Sequence, residues 1–181
     1  MFRITVDRYT LSMSSSLPAT YDEYRKRVKL VEIFDSGGQG EGYFYLSVAQ
    51  GNDWPFLIVA QRYAPGPESG FHPGVLLVPE TQLLFIGAGE RLLAYRLGPP
   101  EKLWEQEVMI GFWGWQRYQQ FVIMSAELEL AVWNIHGEKL WSTFVEPPWS
   151  YTIERDTIHL DVMGKQSSFS LPFGPTFPSH S

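Results

Sequence analysis

From residue 28 onward the chain falls into short apolar runs that alternate at period two or read as buried strands, each bounded by Gly, Pro, Asn or Asp. The clearest are GYFYLSVA (42–49), FLIVAQRY (56–63), QLLFIGA (82–88), RLLAYRL (91–97), QFVIMSA (120–126), LELAVWNI (128–135) and TIHLDVM (157–163). A period of two puts successive side chains on opposite faces of an extended chain, so these runs predict strands. Their connections are short. Loops of a few residues join antiparallel neighbours, because a parallel crossover needs about a dozen. The expected fold is all-β, an antiparallel meander.

The first 27 residues read differently. Residues 2–10 alternate, with Phe2, Ile4 and Val6 on one face, and predict a strand; LSMSSSLPA (11–19) has the composition of a linker. Thr20 before YDEYRKR, with Asp22 and Glu23 in the first turn, predicts a short capped helix. The chain is expected to be a single domain over 1–181. Within it lie an N-terminal strand with a linker or short helix (1–27), a repeat-like β region (28–171) and a C-terminal tail (172–181).

The β region repeats. Glu101-Lys102-Leu103-Trp104 returns as Glu138-Lys139-Leu140-Trp141, an offset of 37 residues. The same offset carries Ile86, Glu90, Leu93, Ala94 and Val108 onto Ile123, Glu127, Leu130, Ala131 and Val145. Each unit holds four strands, clearest in FWGWQRY, QFVIMSA, LELAVWNI and KLWSTFV, and a four-stranded unit of about 40 residues is a propeller blade. The pattern of LLAYRL…EKLW and LAVWNIHGEKLW resembles the blades of quinoprotein-type (PQQ-like) propellers over 74–171, with a fainter blade at 28–63. The resemblance implies blade architecture and no particular chemistry, and no quinone-binding constellation accompanies it.

A chain of 181 residues holds four such units at most. The expected architecture is therefore a small or partial β-propeller of four-stranded sheets, with an open stack of sheets or a β-sandwich as the alternative. The last unit runs from QSSFSL into LPFGPTFPSHS without a Lys-Leu-Trp strand. Strand 2–10 is expected to pair within 150–171 and supply the missing one.

Charge and composition narrow the function. With 14 Lys+Arg against 20 Asp+Glu the net charge is −6, which argues against nucleic acid as a partner. The one basic cluster, Arg25, Lys26, Arg27 and Lys29, reads as a solvated face. There is no cysteine, hence no thiolate nucleophile and no Cys-based metal or cluster site. No signal-peptide pattern opens the chain and no apolar run is long enough to cross a bilayer, so a cytoplasmic protein without membrane contact is expected.

Candidate chemistry is sparse. The Gly-rich stretch Asp35–Gly42 leads into a strand where a phosphate cradle needs a helix, and Asp35 with Glu41 has no regular calcium spacing. His72, His136, His159 and His180 are scattered; His159 and Asp161 share one strand face, which reads as a polar outer surface. No Gly-x-Ser-x-Gly elbow is present. No catalytic residue, metal site or cofactor is expected.

Aromatic residues are the outlier, at 15%, and six of the seven Trp lie between 104 and 149. Trp104, Trp133 and Trp141 are expected between sheets. Trp113 and Trp115, two apart, are expected to share a face opposite to Phe112, with one set either core or binding surface. Trp149 and Tyr151, beside Pro147 and Pro148, are candidates for rim contacts with a partner or a sugar.

The expected function is a non-catalytic protein-binding module. Its size, acidity and architecture resemble small bacterial proteins that neutralise or scaffold a partner, immunity proteins included. Candidate binding residues are Trp113, Trp115, Trp149, Tyr151, His72 and Asp35. The alternatives are a ligand-binding or hydrolytic protein with His72, Asp35 and Glu80 in a central channel, and a structural subunit whose apolar face makes a homodimer.

Overall fold

The computed structural model describes residues 1–34 and 42–176. The first sheet takes β1 (Phe2–Val6), β2 (Tyr9–Ser14), β3 (Leu30–Phe34), β4 (Gly42–Gln50) and β5 (Leu57–Tyr63), in the order β1-β2-β4-β5-β3. A short helix, α1 (Tyr21–Arg25), separates β2 from β3 along the chain. The second sheet is β6 (Gly74–Val78), β7 (Leu83–Ala88), β8 (Arg91–Leu97) and β9 (Pro100–Glu107). The third is β10 (Phe112–Tyr118), β11 (Phe121–Ala126), β12 (Glu129–Asn134) and β13 (Lys139–Phe144). The fourth holds β14 (Trp149–Glu154), β15 (Thr157–Val162) and β16 (Lys165–Ser170). The last three sheets are antiparallel meanders, as the short connections require.

Three apolar layers join the four sheets in chain order. Leu46, Val59 and Tyr9 of the first sheet meet Leu84, Ile86 and Leu93 of the second. Phe85, Leu92 and Ala94 on the other face of the second meet Val122, Met124 and Trp133 of the third. Ile123, Leu130 and Val132 then meet Ile158 and Leu160 of the fourth. Alternation within β7, β8, β11 and β12 supplies both layers from one strand, and that is why these strands are buried on both faces.

The stack is open. Tyr21 and Tyr24 of α1 close the outer face of the first sheet over Tyr45, Ile58 and Ala60. On the fourth sheet the outward row is Ser150, Thr152 and Glu154 opposite Asp161, His159 and Thr157, which face Gln166, Ser168 and Ser170. That surface is polar throughout and is built to meet water, as a terminal sheet must.

The N-terminal segment departs from expectation. Residues 2–14 form a hairpin in place of one strand and a linker, and the turn is Asp7-Arg8 with Asp7 at φ 53°. Strand 2–10 does not pair within 150–171: β1 pairs with β2, and β2 with β4. Closing a two-residue turn costs far less chain entropy than joining the two ends of the chain. Tyr9 and Leu11 also bury fully against the second sheet, which fixes β2 there.

The meander fails at one place as well. β3 lies parallel to β5, because residues 15–29 carry the chain across the outer face through α1, long enough for a parallel crossover. The segment 28–63 is thus not a blade of its own; it supplies β3, β4 and β5 to a sheet completed by β1 and β2. Thr20 makes no side-chain cap. It sits at φ −87°, ψ 6°, and its carbonyl accepts from the Tyr24 amide at 3.1 Å.

The repeat is structural. Trp104 stacks on Trp133 with centroids 5.6 Å apart and donates its indole N–H to the Gly137 carbonyl at 2.8 Å. Trp141, its repeat partner, donates to the Leu171 carbonyl at 2.6 Å. The expectation of Trp104, Trp133 and Trp141 between sheets is met. The fourth sheet has three strands, and its last strand ends in a turn at Leu171–Gly174.

A polar tie joins the first two sheets. The Tyr95 hydroxyl donates to the Glu32 carboxylate, which also pairs with Lys102 at 3.1 Å. Burial, then the bond to Glu32, pushes the Tyr95 pKa well above the ordinary 10.0. In the unfolded chain the hydroxyl releases its proton near pH 10 while in the folded chain it keeps it. The contribution is therefore intact below pH 10 and is lost as pH rises above it. Urea midpoints measured from pH 8 to pH 11 should fall above pH 10, and Tyr95→Phe should flatten that fall by about 1.4 kcal/mol per pH unit.

Candidate functional site

The aromatic residues singled out in the sequence divide sharply. β10 pairs with β11 through a bulge between Phe112 and Gly114. One extra residue there shifts the alternation, so Phe112 and Trp115 both turn inward and Trp113 is aimed out. Phe112 is fully buried, and Trp115 packs on Phe85, Phe112 and Trp133 between the second and third sheets. Trp113 and Trp115 therefore do not share a face, because a regular alternation was assumed where the strand carries a bulge. Trp115 is half-buried in that packing.

Trp113 is 41% exposed. It lies flat on Trp149, with centroids 5.0 Å apart and planes at 14°, and Trp149 lies in turn on Tyr151 at 6.2 Å and 20°. Trp149 is itself buried and stands 37 residues after Phe112, the same inward position of the next unit. Its packing role follows from that place. Tyr151 is half-buried and donates its hydroxyl to Gln116 Oε1 at 2.7 Å; burial raises its pKa.

Glu127 holds this ladder together. Its Oε2 accepts from Trp113 Nε1 at 3.1 Å and its main-chain carbonyl accepts from Trp149 Nε1 at 3.1 Å. Its own amide donates to the Gly111 carbonyl at 3.0 Å, which ties in the turn before β10. That turn presents Met109, 55% exposed, and Ile110, 46% exposed. Ile110 adopts φ 57°, a left-handed conformation that is strained for a β-branched residue. A Cβ on Gly111 would lie 2.1 Å from the Phe71 ring, so the 71–72 segment packs against the same turn. His72 is exposed beside it.

The surface is thus a rim: exposed Met109, Ile110 and Trp113, with Trp149 beneath Trp113 and Phe71, next to His72, against the Gly111 turn. Sequence reading named Trp113, Trp149 and His72 and missed Met109, Ile110 and Glu127. Glu127 carried a signal, since it repeats Glu90.

Of the channel grouping, His72 precedes β6 and Glu80 follows it, at opposite ends of a five-residue strand that spans about 13 Å. Glu80 is engaged by Arg117, whose Nη1 donates to it at 3.1 Å and lowers its pKa. Asp35 and the Gly-rich stretch through residue 41 lie outside the described residues. On the outer face of the fourth sheet, His159 Nδ1 contacts Ser168 Oγ at 2.8 Å, while Asp161 accepts from the Gly164 amide. His159 and Asp161 make no dyad. Among the described residues no group of three His, Asp or Glu side chains is placed to hold a metal, and no helix is long and apolar enough to cross a membrane.

No protein family matches the sequence, and no curated protein does. Solved structures similar to it include BamB from Moraxella catarrhalis, at 10% identity over 70% of this chain and 39% of that one, TM-score 0.40. Myxococcus xanthus glutaminyl cyclase is 12% identical over 74% of this chain and 61% of its own, TM-score 0.32. Kluyveromyces lactis Hsv2 is 13% identical over 54% of this chain and 32% of its own, TM-score 0.31. The chain spans less than two thirds of the length of each. Its class is an all-β, propeller-like stack of four sheets that do not close, and this rests on its own sheets and repeat.

Proposed function

We propose that this chain is a non-catalytic protein-binding module of quinoprotein-type blades, a cytoplasmic scaffold or immunity-like protein that grips its partner through the Trp113 rim. The carrying observation is that Trp113 is turned outward by a bulge and held rigid there by Trp149 and Glu127. A large aromatic immobilised before binding loses little entropy on association, and Trp is enriched at the energetic centre of interfaces. Met109 and Ile110 beside it add apolar area that adapts to a partner surface.

The test compares capture from a lysate of the source cells by the wild-type chain, by Trp113→Ala and by Thr152→Ala, an outward residue of the fourth sheet. The expected result is one stoichiometric protein retained by wild type and Thr152→Ala and lost from Trp113→Ala. Retention by Trp113→Ala would remove this surface. A small molecule retained in place of a protein would favour the ligand-binding alternative.

A further inference from the structure

β1 is an edge strand that exposes apolar side chains. Among the described residues it pairs with β2 alone, yet Phe2 is 63% exposed and Ile4 42% exposed. Edge strands are ordinarily blunted by charge, proline or distortion. β9 and β16 follow that rule: β9 carries Glu101, Lys102, Glu105 and Glu107, and β16 carries Lys165 and Gln166 among serines. β1 (FRITV) has one charge, Arg3, and no proline.

The register of the hairpin shows which groups are free. A two-residue turn makes Val6 and Tyr9 the closing hydrogen-bonded pair, and alternation makes Ile4–Leu11 and Phe2–Met13 the next ones. The main-chain N–H and C=O of Arg3 and Thr5 therefore point away from β2, to the open edge. Phe2, Ile4 and Val6 share the face of Met13, Leu11 and Tyr9, the face that packs toward the second sheet.

We propose that β1 pairs with β1 of a second copy, antiparallel about a two-fold axis through Ile4. The strand is complementary to itself in that register. Arg3 falls opposite Thr5 of the other copy twice over, and these are the two residues whose main-chain groups are free, so four hydrogen bonds form. Ile4 faces Ile4, and Phe2 faces Val6 twice, as non-hydrogen-bonded pairs in which side chains lie closest. Every apolar residue meets an apolar one and no like charges are opposed. The two five-stranded sheets become one sheet of ten strands, and the exposed area of Phe2 and Ile4 is covered. A closed ring of two open stacks is a different arrangement; it is disfavoured because the polar outer face of the fourth sheet and the α1-covered face of the first have no apolar surface to join.

Sedimentation equilibrium over a concentration series tests it. A dimer is expected, and because each copy carries −6 it should tighten as salt is raised from about 0.05 to about 0.5 M. Ile4→Lys places two ammonium groups face to face and should weaken dimerisation about tenfold or more. Thr5→Pro removes an N–H that faces only the open edge and the side-chain bond of Thr5 Oγ1 to Thr10 Oγ1 at 3.2 Å, but no main-chain bond of the hairpin, so it should leave the hairpin and the circular dichroism intact while abolishing the dimer. A monomer at all concentrations, or a dimer that survives both substitutions, overturns the proposal. Neither substitution touches the Trp113 rim, so capture of a protein partner should be unaffected.

Discussion

Replacing Phe112 with alanine should destabilise the fold by about 3–5 kcal/mol, whereas the same change at the next residue, Trp113, should cost only about 0.5–1.5 kcal/mol. The two are neighbours in sequence and similar in size, so the contrast isolates what the bulge does. Phe112 is wholly buried between two glycines; a Cβ on Gly87 would lie 2.5 Å from its ring and one on Gly74 2.8 Å. Both glycines therefore exist to let the ring approach the backbone of β6 and β7. Removing the ring leaves a cavity among Phe85, Trp115 and Trp133 that these large rings cannot collapse into. Trp113 loses one stacking contact with Trp149 and one bond to Glu127, with its outer side already in water. Urea unfolding of both variants measures this. Equal losses would mean that Trp113 is structural, and the binding role proposed for it would fall.

The same strand shows why part of the molecule was legible and part was not. β15 was legible from its alternation, and β7, β8, β11 and β12 from short apolar runs bounded by turn residues, because the first has a polar face while the others are buried on both. The repeat of Glu-Lys-Leu-Trp was legible for a related reason: a Trp that must reach the next sheet recurs at the spacing of the sheets. A bulge leaves no such mark, since FWGWQRY read by strict alternation puts Trp113 with Trp115. The parallel pairing of β3 with β5 is equally silent, because partner choice is decided by a crossover and not by either strand's pattern. β2 was hidden by its own serines. Its serines gave LSMSSSLPA (11–19) the look of a linker, yet Ser12 is buried and accepts from Arg3 Nε at 3.2 Å, and Leu11 is buried on the opposite face.

Gly174→Ala should cost markedly more than Gly164→Ala, although both glycines are left-handed, at φ 74° and 81°. An alanine in that conformation is strained by about 1–2 kcal/mol at either site. At Gly164 nothing lies within 4 Å of the added Cβ. At Gly174 the Cβ would fall 2.6 Å from Trp141 Cγ, so the indole must be displaced from its bond to the Leu171 carbonyl, adding about 1–3 kcal/mol. The comparison matters because Gly174 stands 37 residues after Gly137, which is left-handed too and lies against Leu103 and Trp104. The turn after β16 thus performs for Trp141 what the β12–β13 turn performs for Trp104, and the repeat continues past the last full strand into a segment expected to be a tail. Urea midpoints give the energies, and a red shift in tryptophan emission for Gly174→Ala alone reports the displaced ring. Equal midpoints and unchanged emission would show that the terminal turn does not support Trp141, leaving the fourth sheet without the contact that finishes the stack.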